Sequence, residues 1–200
     1  MKVTYKGKGL RVLDFDCECR PLSYLGSDYT TGEITAIAAC WIVNGKPRGV
    51  RAWVLGKDEP RTMLKEFKAL YDAADMVTGH FIRGFDLNLV NGGLFDHNLP
   101  PLGAKLSHDT KQDMNRIKYM SMSQENMATE LGIEAPKVHM SQADWREANR
   151  LTPRGLRLTR ARVVGDIKQH VAMREELLRR GWLGRPKMWT PTAIAPEYVP

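Results

Sequence analysis

The chain has 200 residues, 42% of them apolar and 26% charged, which describes a soluble globular domain long enough to bury a real core. No run approaches the length of a membrane span, and the opening Met-Lys-Val-Thr-Tyr-Lys-Gly-Lys lacks the apolar core of a signal peptide, so a cytoplasmic protein with no membrane partner is expected. Lys and Arg outnumber Asp and Glu by 30 to 23, a net charge of +7 concentrated in residues 146–187; this suits a polyanionic partner, with a solvated basic helix face as the plain alternative.

Residues 10–19 predict a strand. Asp14, Asp16 and Glu18 recur at a spacing of two and share one face, with Leu13, Phe15, Cys17 and Cys19 on the other. Buried carboxylates are costly to desolvate and raise one another's pKa, so cations over the row would account for it. A half-exposed strand whose polar face meets water accounts for the same alternation. Cys17, Cys19 and Cys40 all fall in predicted strands and read as buried free thiols, and the lone Cys-x-Cys pair is not taken as a zinc site.

Pro21 and Gly26 break the pattern, and Ser27 to Gly32 predicts a turn. Ile34 to Val43 and Gly49 to Leu55 predict two more strands around the tight Asn44-Gly45-Lys46 turn, completing an antiparallel meander. Asp58 is placed as the cap of a helix from Pro60 that buries Met63, Leu64, Phe67, Leu70 and Tyr71. A strand at Asp75 to Gly79 leads to a helix over 84–91, with Leu87 and Val90 inward and Gly92-Gly93 as its stop. Asp86 stands at that helix start, where the dipole favours a carboxylate.

Leu106 to Thr110 resembles a strand end. Ser123 caps a helix closed by Gly132, and Ser141 to Asn149 predicts a short helix. The last helix, over 155–181, has Val163, Val164, Ile167, Val171 and Leu178 on its apolar side with Asp166 among them. Residues 1–183 read as one domain. The tail 184–200, with Pro186, Pro191, Pro196 and Pro200, is expected to be extended along the surface or mobile.

Four acids thus stand out, and in their setting the chain resembles the DEDD, or DnaQ-like, 3′-to-5′ exonucleases of the ribonuclease H-like superfamily. Asp16-Cys17-Glu18 looks like the first motif, an Asp-x-Glu ending an apolar strand. Gly79-His80 followed by Phe85-Asp86 looks like the second, and Val164-Gly165-Asp166-Ile167 like the third. Asp109-Thr110 and the stretch from Ser123 to Ile133 are similar to the segment between motifs two and three. The resemblance runs from Leu10 to Leu183 and is nearest to bacteriophage-encoded members, which would place the protein in the host cytoplasm.

The resemblance implies an α/β fold with a mixed five-stranded sheet flanked by helices, the acids meeting at one sheet edge. It implies two divalent ions, magnesium or manganese, one generating hydroxide from water and the other stabilising the leaving 3′ oxygen. Asp16 would bridge both ions, Glu18 and Asp166 would hold the first, and Asp86 the second. Asp14 would lie behind these ligands. The implied activity is removal of nucleotides from the 3′ end of single-stranded nucleic acid, DNA favoured over RNA; a polymerase or other replication partner is compatible with this but nothing in the residues supports one.

Two positions depart from the family pattern. The family places a His or Tyr four or five residues before the last Asp as the base for the attacking water, and here those positions hold Arg162 and Ala161. His170, one turn after Asp166, and the loop-borne His139 are the substitutes, and a metal-bound water without a base is the third solution. Arg162 is then a candidate phosphate contact. Phe81 stands where the family has Asn and is either a stacking platform for a terminal base or a core residue. Two other functions use the same scaffold: a nucleic-acid-binding module whose catalysis has decayed, and a ribonuclease H-like endonuclease.

Overall fold

The computed structural model describes residues 9–22, 32–114, 117–134 and 138–191; except for Gly32, the turn expected at Ser27 to Gly32 lies outside them, as do Pro196 and Pro200. The strands are β1 (Val12–Pro21), β2 (Gly32–Val43), β3 (Lys46–Val54), β4 (Met76–Gly79), β5 (Lys105–Asp109) and β6 (Lys187–Trp189). The helices are α1 (Pro60–Ala73), α2 (Asp86–Asp96), α3 (Gln124–Glu130), α4 (Gln142–Asn149) and α5 (Pro153–Arg180). The strands form one mixed sheet in the order β3-β2-β1-β4-β5-β6. The meander β1-β2-β3 is antiparallel, β4 and β5 continue parallel to β1, and β6 closes the far edge antiparallel to β5.

The two faces of β1 are chemically distinct, as its alternation demands. Leu13, Phe15 and Cys17 enter a core with Phe67 and Tyr71 of α1 and Leu87 and Val90 of α2; the Phe15 and Phe67 rings are 5.0 Å apart. The opposite face is covered by α5. There the buried side chains of β2 are small, Ala36, Ala38 and Cys40, with Ile42 packing at the margin, so the helix can approach closely and bury Val163, Ile167 and Val171, spaced four apart. A third cluster, Met114, Met127, Met173, Leu177 and Leu183, seats α3 on the C-terminal half of α5.

The expected α/β architecture with a mixed, helix-flanked sheet is borne out, with a sixth strand where five were expected. That strand, Lys187–Trp189, comes from the stretch read as an extended tail, and it buries Trp189 against the main core. The cap of α1 is Glu59, which accepts from the Arg61 and Thr62 amides, whereas Asp58 accepts from Val54 N one turn back toward β3. Gly92-Gly93 does not stop α2, which runs on to Asp96. A Cβ on Gly93 would meet Ile34 at 3.1 Å and Leu64 at 3.4 Å, so this glycine serves helix packing instead of termination. α5 starts at Pro153 under a Thr152 cap and ends at Gly181, whose φ of 76° suits glycine. Among the described residues no helix is long and apolar enough to cross a membrane.

Candidate metal centre

The site arises from a match between two periodicities. Along β1 every second residue returns to the same face after about 6.6 Å; along α5 every fourth returns after about 6 Å. Arg162, Asp166, His170 and Arg174 recur at that helical spacing beside the apolar Val163 stripe, and the helix lays them over the acid face of β1. The two elements run in opposite senses. His170 therefore meets Asp14 at one end, with Nδ1 2.5 Å from Oδ2, and Arg162 meets Glu18 at the other, with Nε donating to Oε1 at 2.7 Å.

Between these contacts, carboxylate oxygens of Asp16, Glu18 and Asp166 lie within 4.8 Å of one another. That is a spacing at which one cation can touch all three, and the donors are oxygen only, so the residues fit a hard divalent ion. Asp86 joins from a third element. β4 pairs with β1 only as far as Asp14, leaving the Cys17 amide without a strand partner there, and Asp86 Oδ1 accepts it at 2.9 Å. The acids thus meet where β1 outruns its parallel neighbour, the position at which open α/β sheets leave a crevice.

Asp109 aims the segment before Asp86. Its buried carboxylate accepts from the amides of Phe81 and Arg83 at 3.0 Å each, and from Lys111 and Gln112 at 3.1 and 2.9 Å. This holds Phe81 at φ 69°, a conformation costly for an aromatic residue. Gly84 follows from it, since a Cβ there would lie 2.3 Å from the Phe81 ring. The ring is half-buried with Lys111 Nζ 4.2 Å from its centroid. α3 contributes Gln124, whose amide donates to the Asp166 carbonyl at 2.9 Å and fixes α5 at the site.

Crowding leaves its mark on the acids. Asp86 is pushed up to about 7, chiefly by burial. Asp16 keeps part of its surface open, yet the protein packed around it and the Asp86, Asp166 and Glu18 carboxylates push it well above the usual range. Asp14, fully buried, is raised by desolvation against the pull of His170 and Arg174. Carboxylates this close call for positive charge.

One positive charge is already present. Besides Glu18, Arg162 places Nη2 3.5 Å from Asp166 Oδ2, donates from Nη1 to the Val138 carbonyl at 3.1 Å, and lies over the Trp145 ring at 5.4 Å. The two histidines considered as bases have partners of their own outside the Asp16–Glu18–Asp166 cluster. His170 is buried between Asp14 and the Thr110 hydroxyl, 3.0 Å from its Nε2, and Thr110 is in turn 3.0 Å from His80 Nδ1. His139 is exposed and pairs with Glu125 at 2.8 Å. The recurrence of Arg162, Asp166 and His170 at four residues is visible in the sequence; Asp109 and Gln124 lie in segments that the family resemblance marks, but their contacts, like that of Trp145, follow only from the fold.

No family model matches the chain, and no curated protein does. Among solved structures it is similar to the family B DNA polymerase of the hyperthermophilic archaeon Pyrobaculum calidifontis, with a TM-score of 0.66 at 16% identity over 84% of this chain and 24% of the polymerase. The likeness is one of fold. This chain spans about a quarter of that polymerase's length.

Proposed function

We propose that the protein is a divalent-metal-dependent 3′-to-5′ exonuclease acting on single-stranded nucleic acid, DNA favoured over RNA. The observation that carries the reading is the convergence of Asp16, Glu18 and Asp166, from one strand and one helix, within 4.8 Å. Asp86, tied to the same strand through the Cys17 amide, is the fourth ligand. Magnesium or manganese suits an all-oxygen set, and when bound would lower the pKa of water and stabilise a leaving oxygenate. Asp16 is the residue best placed to serve both ends of the cluster, Glu18 and Asp166 hold one end, and Asp86 the other. The fold shared with part of a DNA polymerase supports a nucleic-acid substrate. Arg162 and Phe81 are proposed to meet the strand, one at a phosphate and the other at a base.

The test is a time course on 5′-labelled single-stranded DNA and RNA with manganese, magnesium or chelator, alongside Asp86→Asn. A metal-dependent ladder shortening from the 3′ end, lost in the variant, supports the reading. Internal fragments would make it an endonuclease. A second reading, a binding module without catalysis, is favoured by one observation: the site-facing residue a turn before Asp166 is a guanidinium, which has no lone pair to accept a proton. Tight, salt-sensitive binding of either polymer without cleavage would establish it.

A further inference from the structure

We propose that Arg162 is an exchangeable counter-ion: metal-free, it neutralises Glu18 and Asp166, and a divalent ion arriving at those carboxylates releases it to a phosphate of the nucleic-acid strand. The proposal rests on the metal-site reading above. Its basis is that Arg162 is held from two sides of different character. On one side are the carboxylates, with Glu18 at 2.7 Å and Asp166 at 3.5 Å. On the other are groups with no net charge, the Val138 carbonyl at 3.1 Å and the Trp145 ring at 5.4 Å.

The uncharged side belongs to elements outside the acidic cluster. Trp145 lies on α4, which a Ser141–Asp144 capping box starts and whose Asp144 also pairs with Arg154 of α5 at 2.5 Å. Thus α4 is anchored independently of the carboxylates. A cation drawn to Glu18 and Asp166 would break the first set of contacts and leave the second. The guanidinium would then remain at the rim, planar and still charged, with donors turned from carboxylate to any other oxyanion; phosphate is the one a nucleic acid supplies. Ion uptake and strand binding would be coupled through one side chain, reciprocally.

The coupling has an unusual sign pattern. Arg162 opposes metal binding in the free protein, because the ion must displace it, and favours strand binding once the ion is in place. Replacing it should therefore tighten one ligand and loosen the other. A residue that merely props the site would weaken both.

The experiment titrates Mn²⁺ into the metal-free protein by electron paramagnetic resonance, for wild type, Arg162→Gln and Arg162→Lys, with melting curves to verify folding. Anisotropy then measures binding of a 5′-labelled phosphorothioate oligonucleotide with and without Mn²⁺. Arg162→Gln should bind Mn²⁺ roughly tenfold more tightly, within the span usual for coupled sites, while losing most of the Mn²⁺-induced gain in oligonucleotide affinity. Arg162→Lys, which keeps the charge but not the planar fork, should fall between. Should Arg162→Gln fail to fold, Trp145→Ala, which loosens only the uncharged side, should reduce the Mn²⁺-induced gain in oligonucleotide affinity. Equal Mn²⁺ affinity in folded wild type and Arg162→Gln, or weaker affinity in the variant, overturns the proposal and leaves the metal site standing. Absence of Mn²⁺ binding from every form overturns both.

Discussion

Asp14 and His170, 156 residues apart in the chain, are joined by a 2.5 Å contact in the interior, with 0% and 3% of their side chains exposed. This pair sets the register of α5 on β1, two strand residues behind Asp16 and four helix residues after Asp166, so it fixes where the acids meet. His170→Ala would leave the Asp14 carboxylate buried without its nearest partner. Breaking a buried pair from one side costs about 3 kcal/mol, and urea unfolding should read that loss. Asp14→Asn combined with His170→Ala should cost less than the sum of the singles, as expected of groups in direct contact.

Asp86 gives the protein a predictable dependence on pH. Burial raises its pKa from the ordinary 3.8 to about 7, so between about pH 4 and pH 7 the folded state holds a proton that the unfolded state has released. Stability of the metal-free protein should therefore fall as pH rises through that window, with Asp14 and Asp16, whose carboxyls are also raised, acting in the same sense. Unfolding in urea with chelator at about pH 5 and about pH 7.5 checks the sign. Asp86→Asn should make the fall shallower, and a divalent ion should offset the loss at the higher pH by binding only the folded state. A rise in stability with pH across the same window, in chelator, would contradict the burial of this carboxylate.

Removing charge from the cluster should separate stability from function. Asp16 is pushed upward by burial and by the neighbouring Asp86, Asp166 and Glu18, so in the absence of metal its ionised form works against the fold. Asp16→Asn should raise the melting temperature of the metal-free protein at neutral pH by a few degrees, the shift that about 1 kcal/mol produces in a chain of this size. The same variant should lose cleavage and the stabilisation that Mn²⁺ confers. A lower melting temperature would mean that Asp16 makes a structural contribution larger than the repulsion.

How much of this was readable from residues alone follows from what each feature depends on. The β1 row and the Asp86 helix start are local patterns, and their spacing placed three acids on one face and a fourth at a helix N-terminus. The sixth strand could not be read that way: three residues, Lys187–Trp189, carry too little periodicity, and their pairing with Lys105–Ser107 is set by where α5 delivers the chain. His170, one turn from Asp166, is by spacing one of the candidates for the base. The opposed directions of β1 and α5 send it to Asp14 instead, and that relation exists only in three dimensions. Arg162 cannot act as a base, and by residue type alone it reads as a phosphate contact. Its grip on Glu18 needs the 144-residue separation to be closed by the fold.

Asp109 controls the approach to Asp86 without belonging to the carboxylate cluster. Four backbone amides converge on it, two of them from the segment that carries Phe81 at φ 69°. Asp109→Asn keeps the shape but gives up charge and half the acceptor capacity, leaving part-buried amides short of an acceptor. The expected cost is about 2 kcal/mol, read as a lower melting temperature. Cleavage should fall further than stability explains, because the loop that presents Asp86 is freed to leave its strained conformation. Equal activity per folded molecule would show that α2 alone positions Asp86.

Gly155 offers a way to disturb the Arg162 cradle from a distance. It sits in the first turn of α5, where a Cβ would lie 2.1 Å from the Glu147 carbonyl oxygen and 2.6 Å from the Ala148 amide nitrogen. Both are backbone atoms of α4 and cannot rotate away. Gly155→Ala must therefore push α4 off α5, at about 1–3 kcal/mol for overpacking of this kind. Because Trp145 rides on α4, the displacement should draw the ring from the Arg162 guanidinium while leaving every carboxylate ligand unchanged. The expected result is a folded, less stable protein in which Mn²⁺ gives a smaller gain in oligonucleotide affinity, in the direction expected for Trp145→Ala. Reduced stability with that gain unaltered would mean that the Val138 carbonyl suffices to hold Arg162 at the rim.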